Sequence, residues 1–252
     1  MKEKLYTIPV SDAFRLNTEC PLCHLQREYE EQILDTLMNS AYMEPDCRIH
    51  TNALGFCSGH LQKLYDRQNR LGMALMLETH LQDVLSSLEG SCAHPERKRK
   101  SSLFPFFKNS CGEKLASIVR NRTQSCALCQ QVDETMERYV QTVLYLYKSS
   151  DVFRTSYAKS RGFCLPHFAN LLSVADKQLY GKILDDFLLQ SQTIELKALK
   201  RVEADLAWFT KKFDYRNQDK PWGTSRTAVE RAANKLRGYT CDVNECSDPD
   251  GI

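Results

Sequence analysis

The chain has 252 residues and a formal charge of +2, from 34 Lys and Arg against 32 Asp and Glu. That balance excludes a general drive toward polyanions, and apolar runs of only a few residues exclude a membrane-spanning helix, which needs about 18–20. An apolar share of 42% is enough for a sizeable core, in one large domain or two small ones.

The first residues, "MKEKLYTIPVSDAFRLNTEC", hold no unbroken apolar stretch followed by a small-residue cleavage site. No signal peptide is therefore expected, and the protein reads as soluble, cytoplasmic and without a membrane partner. In a reducing compartment, closely spaced cysteines among the eleven present point to metal ligands or redox groups rather than disulfides.

Helical spacing dominates the rest of the chain. Residues 24–43 place Leu25, Tyr29, Ile33, Leu37 and Ala41 on one stripe, with Glu and Arg on the other side. Residues 130–148 repeat the pattern with Val132, Met136, Val140, Val143, Leu144 and Tyr147. A third segment, about 178–213, carries Ile183, Phe187, Ile194, Ala198, Val202 and Phe209. No stretch alternates as a strand would, so the expected fold class is all-α. Between these helices, residues 89–114 mix Gly, Pro and Ser with the basic cluster Arg97–Lys100 and read as a solvated linker. The expected organisation is a first helical unit at 1–90, a linker at 91–115, a second unit at 116–240 and a polar tail at 241–252.

The two halves share a vocabulary. Cys20 and Cys23 of "CPLC" match Cys126 and Cys129 of "CALC" at an offset of 106. Gly55, Phe56, Cys57 and His60 match Gly162, Phe163, Cys164 and His167 at an offset of 107. Such a repeat predicts two tandem duplicated units packed through long helices, each with its own CxxC and CxxH.

Three cysteines and one histidine per half make a tetrahedral zinc set. The two-residue gap lets both side chains of a CxxC or CxxH reach one ion. Each pair sits where a helix is expected to begin, so unpaired amides and a partial positive charge would face the thiolates. The glycine would permit a tight turn, and the phenylalanine would shield the metal. Zinc, two per chain, is the expected cofactor, on Cys20, Cys23, Cys57, His60, Cys126, Cys129, Cys164 and His167. An iron–sulfur cluster on the same residues is the alternative. A thioredoxin-like redox role lacks the βαβ context it needs. Four protein ligands close a site against catalysis, so both sites read as structural and no catalytic residue is assigned. Cys47, Cys92, Cys111, Cys241 and Cys246 have no duplicate, and a third site built on Cys241 and Cys246 is not favoured. His24, His50, His80 and His94 read as surface or satisfied core residues.

Residues 207–225, "AWFTKKFDYRNQDKPWGTS", hold both tryptophans. One reading is an anchor that folds back, its rings filling the groove between halves. The other is a partner-binding surface made by Trp208, Phe213, Tyr215, Arg216 and Trp222.

CPLC, the doubled GFCxxH and the late "KKFDYRNxDKPWG" pattern together resemble an uncharacterised bacterial family classed as a domain of unknown function. The resemblance spans about residues 1–238 and implies no reaction. A transporter substrate-binding label carried by some members would require α/β lobes, and the chain has none. The expected role is a non-enzymatic, zinc-binding interaction or regulatory module with a protein partner. Nucleic acid could be met through Arg97–Lys100 or a helix face. The alternatives are a thiol-based zinc redox sensor, or an enzyme with a pocket between the halves.

Overall fold

Prolines and caps set where the helices start. Pro21 opens α2 (Pro21–Asn39) and Pro45 opens α3 (Pro45–Leu54), at positions where a missing N–H costs nothing. Ser150 caps α8 (Asp151–Lys159), its hydroxyl oxygen accepting from the Phe153 amide at 3.2 Å. The computed structural model describes residues 6–92 and 111–238. Among these it has eleven α-helices and no strand, which makes the fold all-α. The remaining helices are α1 (Thr7–Ala13), α4 (Ser58–Asp66), α5 (Arg70–Cys92), α6 (Cys111–Gln124), α7 (Ala127–Ser149), α9 (Leu165–Gln178), α10 (Lys182–Lys211) and α11 (Ala228–Arg237).

The three periodic segments are helical. The α7 stripe is buried throughout, from Val132 to Tyr147. In α10, Phe187, Ile194, Ala198 and Val202 are buried. The first stripe runs through Leu37, but the helix stops at Asn39 and Ala41 lies in a short 3-10 turn.

The chain divides into two compact units, but not as tandem halves. One is Met1–Glu28 with Thr135–Ile252, and the other is Tyr29–Glu134. Both boundaries fall inside long helices, so α2 and α7 each begin in one unit and continue in the other. The expected split into 1–90 and 116–240 is thereby replaced. An unbroken helical stripe carries no mark of where it passes from one core to another, so periodicity alone could not place the boundaries. The ends of the expected linker belong to α5 and α6, and its basic cluster Arg97–Lys100 lies outside the described residues, as do His94 and the tail at 241–252.

The first unit is built on aromatic rings. Phe14 meets Phe153 at 5.0 Å, Tyr157 at 5.6 Å and Phe163 at 6.1 Å between centroids. Phe187 sits edge-on to Tyr147 at 4.8 Å and tilted against Tyr157 at 5.5 Å. Such offset and edge-on pairs add to the gain from burial. The buried Tyr157 hydroxyl shares a 2.7 Å hydrogen bond with Ser191 Oγ, which satisfies it in the core. The second unit instead has an aliphatic core of Leu34, Leu37, Met38, Leu64 and Met76, with Ile33, Phe56 and Met73 packed against it.

Phe187 has no solvent exposure and joins two ring contacts. Phe187→Ala should therefore cost about 3–5 kcal/mol of unfolding free energy, read from urea denaturation followed by circular dichroism.

Candidate metal centres

Four short motifs begin four helices in the same way. Cys20, Cys57, Cys126 and Cys164 immediately precede α2, α4, α7 and α9. Their carbonyls accept from the amides of His24, Leu61, Gln130 and Phe168, the first i to i+4 bond of each helix. The first cysteine of each motif is thus the N-cap, and the second ligand occupies the third helical position. Side chains at these two positions lean toward each other, as in a capping box. The sulfur takes the capping oxygen's part in two cases. The Cys23 amide donates to Cys20 Sγ at 3.4 Å, and the Cys129 amide to Cys126 Sγ at 3.5 Å.

The eight expected ligands form two clusters, but the motifs are exchanged. Cys20 and Cys23 converge with Cys164 and His167, whereas Cys126 and Cys129 converge with Cys57 and His60. Within each cluster one ligand atom per residue lies within 4.8 Å of all the others. In the first, His167 Nδ1 is 3.1 Å from Cys164 Sγ, 3.3 Å from Cys23 Sγ and 3.6 Å from Cys20 Sγ. In the second, His60 Nδ1 lies 3.3 Å from the sulfurs of Cys57, Cys126 and Cys129. The expectation that each CxxC serves the CxxH of its own half is corrected. CxxC helices α2 and α7 start in opposite units from the bulk of their own half. Each cluster consequently lies wholly within one unit. Spacing could not reveal this, because either CxxC is chemically equivalent toward either CxxH.

Glycine at the turn before each CxxH is required by conformation and by space. Gly162 has φ of +84°, and a Cβ there would sit 2.7 Å from Glu195 Oε2 and 2.9 Å from Ala198 Cβ. Glu195 uses that oxygen to accept from the Phe163 amide at 2.7 Å. Lys235, 1% exposed, donates to the carbonyls of Glu19, Arg161 and Phe163 at 2.6, 2.7 and 3.1 Å. One ammonium thereby ties the backbone before Cys20 to the backbone before Cys164. Burial holds the Lys235 pKa below its ordinary value, against the pull of Glu195 and Glu19.

The second unit uses different supports. Gly55 has φ of +62°, and a Cβ would meet His80 Nε2 at 2.6 Å. The Ala127 amide donates to the Gly55 carbonyl at 2.9 Å, Ser125 Oγ to the Leu54 carbonyl at 2.8 Å and Arg122 to the Ala53 carbonyl at 2.8 Å. These bonds join the turn before Cys57 to the start of α7. Glu30 Oε1 lies 2.9 Å from His60 Nε2, the ring nitrogen turned away from the sulfurs, while Glu30 Oε2 accepts from Lys63 at 2.6 Å. A carboxylate behind a ligating histidine fixes its tautomer and raises its basicity. Contact with His60 holds the Glu30 carboxyl down to about 2, with burial opposing and Lys63 assisting.

Motif and periodicity did not single out Glu30, Glu195 or Lys235. The motif offset pairs Glu30 with Met136, so the repeat gives no hint of a carboxylate there.

Electrostatically, each cluster holds protons that a metal would displace. Burial opposes it, but hydrogen bonds donated to Cys164 and Cys20 raise His167 to about 10. Hydrogen bonds donated to Cys126 and Glu30 raise His60 to about 10. Cys20 is held well below the ordinary thiol value by its sulfur neighbours and His167, despite burial. Cys126 is held down to about 6, again against burial and chiefly by His60. Their partners go the other way: Cys23 is pushed up by hydrogen bonding to Cys164 and Cys20, and Cys129 by burial and Cys126.

The remaining candidate residues lie apart from the clusters. Cys47 is half-buried against the second unit's core, and burial raises its thiol. His24 lies 3.2 Å from Glu28, and His80 Nδ1 contacts the Asn52 carbonyl at 2.7 Å, so neither joins a cluster. The aromatic segment does fold back within the first unit: Trp208 Nε1 donates to the Pro221 carbonyl at 3.1 Å, and Phe209 and Phe213 pack on Trp222. Its organiser is Lys212, buried, whose ammonium donates to the carbonyls of Asn217, Gln218 and Lys220 at 2.8, 2.7 and 2.5 Å. Phe213 and Tyr215 remain 64% and 79% exposed, and Arg216 pairs with Asp214 at 2.6 Å.

At pH 7, a metal bound by either cluster must displace a proton from the raised histidine and another from the raised cysteine. Binding should therefore release at least two protons per ion and weaken as pH falls, measured by calorimetry in buffers of different ionisation enthalpy. Gly162→Ala should cost about 2–5 kcal/mol in thermal or urea unfolding. Gly59→Ala, with open space around it on α4, should leave stability unchanged or slightly raised.

No curated protein and no solved structure shows significant similarity to the chain. A family model described as "Family of unknown function (DUF6062)" matches residues 1–242, and the ligand motifs and the aromatic segment all fall within that span. The chain belongs to this family of unknown function.

Proposed function

We propose that the protein is a non-enzymatic cytoplasmic interaction module whose two helical units are each closed by one structural zinc ion. The spacing of the ligand atoms carries this reading. Zinc–sulfur bonds near 2.3 Å and zinc–nitrogen bonds of 2.0–2.1 Å give tetrahedral edges of about 3.8 Å between sulfurs and about 3.6 Å from sulfur to nitrogen. The clusters have sulfur–sulfur separations of 3.5 and 3.7 Å and sulfur–nitrogen separations of 3.1–3.6 Å. A polynuclear iron–sulfur core would hold its four ligands farther apart than one ion does. With four protein ligands the ion has no open position, which suits folding rather than hydrolysis.

The surface that such a scaffold would present is the turn after α10. Lys212 stiffens it from inside, and Phe213, Tyr215 and Arg216 stand in solvent beside the half-buried Trp208 and Trp222. Rigid aromatic and arginine side chains are the groups that dominate protein interfaces.

A second reading, a thiol sensor, is favoured by a difference between the clusters. Cys20, Cys23 and Cys164 are buried, whereas Cys57 and Cys129 are only half-buried. An oxidant would reach the second unit first and release its metal.

Elemental analysis and an optical spectrum of anaerobically purified protein test the main reading. Two zinc ions per chain and no visible absorption are expected; brown, iron-containing protein would overturn it. Glu30→Gln should weaken the second unit's site about 10–100-fold in chelator competition and leave the first unit's site unchanged. Loss of one zinc to mild peroxide, ahead of any unfolding, would favour the sensor.

A further inference from the structure

Helix α5 carries apolar residues on every side, the pattern of a helix covered all round, yet one of its faces stands in solvent. The inner side is held by two neighbours. Arg48 of α3 donates to the Leu75 carbonyl and to Thr79 Oγ1, both at 2.8 Å, and Met76 is buried in the second unit's core. Arg122 of α6 donates to Ser87 Oγ at 3.1 Å and pairs with Asp83. At about 100° per residue, all five of these α5 positions lie more than about 100° round the helix from Leu81. On the opposite face Leu77, Leu81 and Leu85 are 36%, 58% and 50% exposed. Ala74 is exposed and Leu88 half-buried beside them, and the five fall within about 80° of arc. Single exposed leucines are ordinary, but a continuous stripe of them marks an interaction surface.

Spacing identifies the partner. About Leu81 the stripe is the same in both directions: Leu77 and Leu85 stand four residues to either side, Ala74 and Leu88 seven. An antiparallel second copy, with the two-fold axis at Leu81, sets Leu81 on Leu81, Leu77 on Leu85 and the small Ala74 on Leu88. A two-fold interface demands such a self-match, because one patch meets the same patch. Spacings of three and four residues are also those at which side chains of two helices interlock. Charge agrees with the direction. Arg70, exposed, opens the face with one N–H given to the Tyr65 carbonyl at 2.6 Å, and Glu89, exposed, flanks its other end. Antiparallel packing brings the Arg70 end of each helix to the Glu89 end of the other and opposes the two helix dipoles. A parallel pair would set like charge beside like.

We propose that α5 is a homodimerisation helix, through which two copies of the chain pair antiparallel about Leu81. This goes beyond the scaffold reading. The stripe belongs to the second unit, whereas the aromatic turn belongs to the first, and the pairing requires no particular metal. A single helix strip sits at the small end of specific interfaces, so a Kd of about 1–100 µM is expected.

Sedimentation equilibrium of the full-length protein as purified, from about 1 to 300 µM, tests it. The wild type should pass from monomer to dimer over that range. Leu81→Glu sets two like charges together at the axis and should weaken association at least about 100-fold. It should leave metal content and the melting temperature of the dilute protein unchanged, because the side chain it replaces stands in solvent. Leu189→Glu, at a position 67% exposed on α10, is the matched control and should leave the dimer intact. Leu81→Lys should also be monomeric by itself. An equimolar mixture of the Leu81→Glu and Leu81→Lys proteins should associate more tightly than either alone, since a two-fold axis at this residue sets one charge against the other. A wild type still monomeric at about 300 µM, a dimer indifferent to Leu81→Glu, or a mixture no tighter than its components would overturn the proposal. Metal content measured on every variant separates that outcome from the fate of the zinc reading.

Discussion

Two helix N-termini aimed at one point repel each other, because each exposes unpaired amides and the positive end of its dipole. Both units of this protein are organised around such a meeting: α2 with α9 in one, α4 with α7 in the other. Sulfur is what makes the meeting favourable. Three thiol groups capable of becoming thiolates, set at cap and third positions, put negative charge where the helix ends need it. Lys235 and Glu195 in one unit, and Arg122, Ser125 and Glu30 in the other, keep those ends in place by fixing the backbone and the histidine ring.

Convergence of distant segments has a kinetic side. Cys23 and Cys164 are 141 positions apart and Cys57 and Cys129 are 72 apart. Closing loops of that length costs chain entropy before any contact repays it. The helices themselves are local and cheap to form. Assembly of the clusters is the non-local step, and the aromatic core around Phe14, Tyr157 and Phe163 brings the early and late segments of the first unit together without a metal.

Much of this was legible in the residues. The stripes of α7 and α10 dictated buried faces, and the CxxC and CxxH motifs declared themselves as helix starts, because the chemistry of ligation and of capping asks for the same spacing. Gly55 and Gly162 fit the tight turns expected of them. The partnering of motifs was not legible. Identical ligands at equivalent spacing give no energetic preference that a sequence displays, so the exchange between halves and the two-unit division surface only in three dimensions. Charged residues that act by being buried were equally silent. Glu195, Lys212 and Lys235 lie in or beside helices whose polar faces look ordinary, and their roles come from backbone groups contributed elsewhere in the chain.

The exchanged motifs also change what a break in the chain would mean. Each half of the sequence holds two ligands for one centre and two for the other, never a complete set. Severed between α5 and α6, the polypeptide would yield two fragments, each half of two coordination spheres. A metal ion filling either sphere would then be the bond that rejoins them. With metal bound, the ion would stand in for the peptide chain as a connector, a property that a tandem arrangement of self-sufficient modules lacks.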